Sequence, residues 1–175
     1  MAMPTHSLGI APLTHLELSP ADMVGNARDA GYDFLGLRLV AATPTEPQHD
    51  SRPGSALVRE TLARLRDSGL WLADIEIFRL KPGTDIAAYE PFLETGALLG
   101  ARHALVAFQD PDPARLADRF AAFAERAALH GLGVDVEPTP WYEVRTLADT
   151  AAVIRASGAK NAGIVVDAIH FDRTG

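Results

Sequence analysis

The chain contains no cysteine, so disulfides, thiolate metal sites and a cysteine nucleophile are all excluded. No segment approaches the roughly 20 continuous apolar residues that a membrane helix requires. Positive charge is in deficit, with 16 Lys and Arg against 23 Asp and Glu and a net charge of −7. That balance argues against a nucleic-acid or anionic-membrane footprint. The first residues, Met1-Ala-Met-Pro-Thr-His-Ser7, show no basic stretch followed by an apolar core, so the expected location is the cytoplasm. Several catalytic signatures are missing too. There is no G-x-G-x-x-G or G-x-x-x-x-G-K-[ST] phosphate loop, no G-x-S-x-G elbow, no H-E-x-x-H, and no lysine at a strand end suited to Schiff-base chemistry.

What is present is a globular composition, 47% hydrophobic and 22% charged over 175 residues, read as a single domain spanning residues 1–175. Apolar runs alternate with amphipathic stretches. The runs are Leu8–Leu13, Phe34–Leu39, Leu70–Phe78, Ala104–Phe108, Gly133–Glu137 and Gly163–Phe171. Each is apolar on both faces, as buried parallel strands are. The stretches between them predict helices over Pro20–Ala30, Arg59–Asp67, Tyr89–Leu99, Pro113–Leu129 and Thr146–Ala156. Ser19-Pro20 supplies an N-cap and a proline at the first helical position, and Gly31, Gly69, Gly100, Gly131 and Gly158 follow the five helix ends. The fold class is therefore α/β with repeated βα units. Without a phosphate-binding turn after the first strand, a (βα) barrel is preferred over a doubly wound sheet, with about six of its eight units visible.

In such a barrel the chemistry gathers at the C-terminal ends of the strands. Alternation along Gly133-Val-Asp-Val-Glu137 puts Asp135 and Glu137 on the face opposite Val134 and Val136, and a carboxylate inside a barrel needs a metal or hydrogen-bond donors to offset its burial. Asp167 follows Gly163-Ile-Val-Val166, with His170 three residues on; a helix cap is the structural alternative for Asp167. Together Glu137, Asp167 and His170 form a candidate site for a divalent metal: Mn²⁺, Mg²⁺ or Co²⁺, with Zn²⁺ admissible. Glu76, in phase with Asp74, and Arg38 at the end of the second strand are candidate substrate contacts; a Glu76–Arg79 ion pair is the plain structural account of Glu76. Trp141 is a candidate apolar wall and His15 a weaker contact. Asp110 before Pro111 reads as a turn or cap residue. The long Pro-broken segment Arg38–Pro53 reads as a loop at the same end.

These residues resemble the xylose isomerase-like barrel superfamily, which contains sugar-phosphate isomerases and epimerases and endonuclease IV-type enzymes. The resemblance runs through Leu8-Gly-Ile10, Gly31-Tyr-Asp-Phe-Leu-Gly-Leu-Arg38, Ala73-Asp-Ile-Glu76, Leu98-Leu-Gly-Ala-Arg102, Val136-Glu-Pro138 and Val166-Asp-Ala-Ile-His170. It implies that Glu137 and Asp167 are metal ligands, that Glu137 doubles as the catalytic base, and that His170 binds substrate or metal. It also implies a histidine and an acidic ligand from two further βα units that are not found before Gly175. The implied activity is a metal-dependent isomerase or epimerase working on a sugar-like hydroxy-carbonyl substrate through an enediolate. Alternatives are a dehydratase or lyase on a related substrate, a non-catalytic truncated barrel or interaction module, and, last, an abasic-site endonuclease. For the endonuclease, Arg38 and Gln109 stand where extra histidines are expected. A homo-oligomer or a complementing partner covering the open barrel edges is expected, with no nucleic-acid or membrane partner.

Overall fold

The computed structural model describes residues 6–174. Six parallel strands form one sheet: β1 (Gly9–Ile10), β2 (Phe34–Arg38), β3 (Trp71–Leu80), β4 (His103–Phe108), β5 (Gly133–Val136) and β6 (Ala162–Ile164). They are hydrogen-bonded in sequence order, each to the next. A doubly wound sheet reverses its order at a switch point; an unbroken sequential order is the barrel arrangement, with all crossover helices on one face. Among the described residues the sheet is not closed, since β1 and β6 each pair on one side only.

The helices are α1 (Pro20–Asp29), α2 (Ala56–Ser68), α3 (Glu90–Leu99), α4 (Pro113–Leu129), α5 (Leu147–Ser157) and α6 (Ala168–Thr174). Ser19, Ser55, Asp112 and Thr146 accept backbone N–H groups at four of their N-termini. The terminal glycines follow the ends of α1 to α5, and all five take positive φ between 69° and 81°, a left-handed turn that sends the chain back into the sheet. The core lies between the sheet and these helices. Leu35, Leu37, Ile75, Phe78, Val106, Phe108, Val134 and Val136 face it, against Phe120 and Phe123 of α4. Rings interlock there, Phe78 with Phe123 at 5.0 Å and Phe108 with Phe120 at 5.2 Å between centroids.

The two outer runs differ from their expected form. Leu8–Leu13 yields only the two-residue β1, because Pro12 has no N–H to donate and begins a 3-10 turn, Pro12–His15. Gly163–Phe171 is not one strand: β6 ends at Ile164, and Ala168 begins α6. Helix α2 begins three residues before Arg59, at its Ser55 cap. No described helix is long and apolar enough to cross a membrane.

Candidate metal centre

The face of the sheet turned away from the helices is polar, as alternation dictates. Asp135 and Glu137 project from β5 and the residue after it, opposite the fully buried Val134 and Val136. Glu137 N–H still donates to Val106 O at 3.2 Å, so the side chain sits at the last laddered position of the strand. Asp167 lies in the short segment after β6, where Val165 N–H continues the ladder to Val136 O. Its Oδ1 accepts the backbone N–H of His170 at 2.8 Å, capping α6 and folding the imidazole back over the strand ends. His170 therefore stands in the first turn of a helix rather than at a strand exit or in a loop.

These three side chains converge. One donor atom from each of Glu137, Asp167 and His170 lies within 4.8 Å of the other two, and all three residues are half-buried. His170 Nδ1 is buried and without a hydrogen-bond partner, 4.0 Å from Asp167 Oδ1. An orphaned imidazole nitrogen beside two carboxylates is a donor set that fits a divalent cation. Burial pushes the Glu137 carboxyl above its ordinary range, and Asp167 adds to the rise while His170 and Arg38 oppose it. Asp167 moves the other way, held down chiefly by the His170 N–H it accepts. Neighbouring carboxylates are thus driven apart in acidity, one fixed as an anion and the other made more basic.

A cavity of about 410 Å³ opens beside them. Its walls include Glu137, Asp167, His170, Arg38, Arg79 and Trp141. Trp141 is 60% exposed, and its ring meets His170 edge-on at 5.0 Å, which makes it a wall of the cavity rather than part of the core. Arg38 Nη2 stands 3.1 Å from Glu76 Oε1, and its Nε is 3.8 Å from Glu46 Oε2. The partner of Glu76 is therefore Arg38 and not Arg79, whose Nη1 donates to Ala42 O at 2.5 Å. Glu76 lies outside the cavity lining, buried behind Arg38; burial raises its carboxyl to about 7, against the pull of the guanidinium and with a further push from Asp74. His15 is half-buried, outside the lining of this cavity, and pairs with Glu17. Asp110 is a turn residue, held by Arg115 at 2.5 Å and accepting Asp112 N–H.

Two features lie beyond the sequence-level candidates. Arg79 is three residues from Glu76, and simple alternation would put the pair on opposite faces. A register irregularity between Ile75 and Phe78 shifts the phase and brings Arg79 to the cavity. Deeper in the same face, His103 Nδ1 is 2.9 Å from Asp135 Oδ2, and Asp74 has its carboxyl raised to about 6 by burial and then by Asp135. Glycines make room for this layer: a Cβ on Gly36 would stand 2.7 Å from Asp74 Oδ1. Of this layer, Asp135 was legible in sequence through its alternation phase with Glu137, and Asp74 through its phase with Glu76.

No protein-family model matches the sequence, and no curated protein matches it. Solved structures do match the fold. A xylose isomerase domain-containing protein from Salmonella typhimurium superposes with a TM-score of 0.75 at 16% identity, over 97% of this chain and 63% of that one. An IolI protein with a bound zinc atom gives 0.75 at 16%, over 97% and 66%. A D-psicose 3-epimerase solved in the presence of D-fructose gives 0.74 at 16%, over 94% and 64%. The fold is that of xylose isomerase-like TIM barrels, and this chain spans a little under two thirds of the length of these proteins.

Proposed function

We propose that Glu137, Asp167 and His170 hold a divalent cation, and that the chain isomerises or epimerises a sugar-like hydroxy-carbonyl compound around it. The observation that carries this reading is the convergence of the three donor atoms within 4.8 Å at the C-terminal ends of β5 and β6. Two hard carboxylate oxygens with one imidazole suit Mn²⁺, Mg²⁺ or Co²⁺ and admit Zn²⁺, and three protein donors leave coordination positions open for substrate or water. Bound there, the cation would supply Lewis-acid polarisation of adjacent carbonyl and hydroxyl oxygens, making the intervening C–H more acidic.

The chain's own groups do the rest. Glu137, made more basic by burial, takes the proton from the carbon beside the carbonyl and leaves an enediolate. Return of that proton from Glu137 to the neighbouring carbon gives the isomer; delivery of a proton from solvent to the opposite face of the first carbon, with Glu137 keeping the one it took, gives the epimer. Asp167 stays ionised through the His170 N–H, so it holds position while Glu137 changes protonation. Trp141 closes one side against His170 and offers an apolar face to the C–H edge of a carbohydrate. The fold shared with an epimerase and with a zinc-bound protein supports the reading.

The test is isotope exchange. The Mn²⁺-loaded chain is incubated with a panel of ketohexoses in D₂O, and deuterium at the carbon beside the carbonyl is followed by NMR. Exchange is expected and should fall at least about 100-fold in Glu137→Gln, in line with the loss of a general base. Release of water from substrate in place of exchange would indicate a dehydratase. Exchange at full rate in Glu137→Gln would overturn the role given to Glu137.

A further inference from the structure

Arg38 stands between two carboxylates and completes a hydrogen bond with neither. It ends β2, and its register partner across the sheet is Glu76 of β3. Arg38 Nη2 lies 3.1 Å from Glu76 Oε1, and its Nε lies 3.8 Å from Glu46 Oε2 in the loop after β2. All three side chains are at most 15% exposed, yet Arg38 Nε and Glu76 Oε1 are without a hydrogen-bond partner. Glu46 belongs to a segment folded on itself: its Oε2 accepts Ala42 N–H at 2.8 Å, and Gln48 Nε2 donates to the Thr43 and Glu46 carbonyls. That segment is tied to the barrel at Ala42, whose carbonyl accepts Arg79 Nη1, and at its root, where Leu39 and Val40 N–H both donate to Glu76 O. Thr43, Pro44, Thr45, Pro47 and Gln48 are exposed, while Ala42 and Glu46 line the cavity of the metal centre. A surface segment held by so few contacts opens at low free energy, so one ion pair more or less shifts its opening equilibrium.

We propose that Arg38 is a two-position clasp: turned to Glu76, as in this structure, it leaves residues 41–48 free to lift from the cavity rim, and turned to Glu46 it straps them down beside Glu137, Asp167 and His170. A guanidinium stays charged, so the carboxylates decide between the two positions. Glu76 is the one that changes. Burial raises its carboxyl to about 7; Arg38 opposes the rise, and Asp74, Glu137 and Glu46 add to it. These are the charged groups that act on it from β2, β3, the end of β5 and the loop. As an anion Glu76 attracts Arg38. As a neutral acid it has lost the charge that held the guanidinium, and the other carboxylate at hand is Glu46, at 3.8 Å. Rising pH through about 7 therefore loosens the segment, and falling pH closes it. The clasp concerns the loop and is independent of cation binding.

Backbone hydrogen exchange read by mass spectrometry tests this in the metal-free full chain between about pH 6 and about pH 8. Rates are corrected for the intrinsic pH dependence of exchange, with α4 as internal reference. The peptide covering residues 41–48 holds the bonded amides of Ala42 and Glu46. Its protection is expected to fall about tenfold as pH rises across that range, the scale of one charge-assisted contact, while α4 is unchanged. Glu76→Gln removes the titrating charge and keeps the shape, so it should hold the high protection at every pH. Glu46→Gln changes only the loop and keeps an acceptor for Ala42 N–H, so it should show the low protection at every pH. Asp74→Asn should keep the parent profile, displaced toward lower pH, because Asp74 is one of the groups that raise Glu76. Protection that stays constant with pH in the parent, a parent-like pH profile in Glu76→Gln, or full protection in Glu46→Gln would each overturn the clasp and leave Arg38 a fixed structural cation. With no metal present, failure of the cation site leaves these expectations unchanged.

Discussion

At the residue scale the site depends on burying carboxyl groups that ordinarily prefer water. Glu137 is made more basic by that burial, and Asp74, below it on the same face, is raised further, to about 6 from an ordinary 3.8. A raised carboxyl pKa means the folded chain holds its proton more tightly than the unfolded chain does. The stabilisation is therefore complete below pH 3.8 and is lost as pH rises through about 6. Asp74→Asn removes that loss. The variant should be more stable than the parent by about 2–3 kcal/mol at pH 8, with the difference shrinking toward zero near pH 4, as read by urea unfolding at the two pH values. A constant difference at both would mean that the Asp74 carboxyl is not buried as described. Glu137 was legible in the sequence because it ends an apolar strand run at a position alternation turns inward, and Asp167 because it follows the apolar Gly163-Ile-Val-Val166, although the strand itself stops at Ile164. Arg79 was not, because its inward direction depends on a register irregularity that no residue between Ile75 and Phe78 announces.

At the scale of elements, the turn between β6 and α6 carries two functions in one side chain. Asp167 is a candidate metal ligand, and it caps the helix that presents His170. The substitutions separate the roles. Asp167→Asn keeps an acceptor oxygen for the His170 N–H, so metal-free stability should stay within about 0.5 kcal/mol of the parent, whereas Asp167→Ala should cost about 1 kcal/mol through the lost cap. Both should weaken metal binding. Equal stability of Asp167→Ala and the parent in thermal unfolding would show that the cap contributes nothing. The apolar pattern from Gly163 to Phe171 reads as a single strand because Val165, Val166, Ile169 and Phe171 suit either periodicity over so short a span. The starts of α1, α4 and α5 were read to within one residue, since serine, aspartate or threonine stands directly before each, whereas that of α2 was placed at Arg59, three residues beyond the start that follows Ser55.

At the scale of the whole molecule, five glycines ending five helices made the βα repeat legible, and the absence of a phosphate loop favoured the barrel order that the sheet adopts. The outer edges of β1 and β6 are unpaired among the described residues, and Val166, Ile169 and Phe171 are more than half exposed beside β6. Unpaired strand edges beside apolar side chains invite association. We propose that the chain self-associates, so sedimentation at micromolar concentration should give a species larger than the monomer; a monodisperse monomer would contradict this.

Cation binding is what the proposed isomerase or epimerase activity rests on, and titration calorimetry with Mn²⁺ addresses it without needing a substrate. One site per chain at micromolar metal is expected, with affinity reduced at least about tenfold in both Glu137→Gln and Asp167→Asn, since each removes one charged ligand from the cation. Absence of binding at that concentration, or equal affinity in the parent and both variants, would contradict the convergence of 137, 167 and 170 on a single ion.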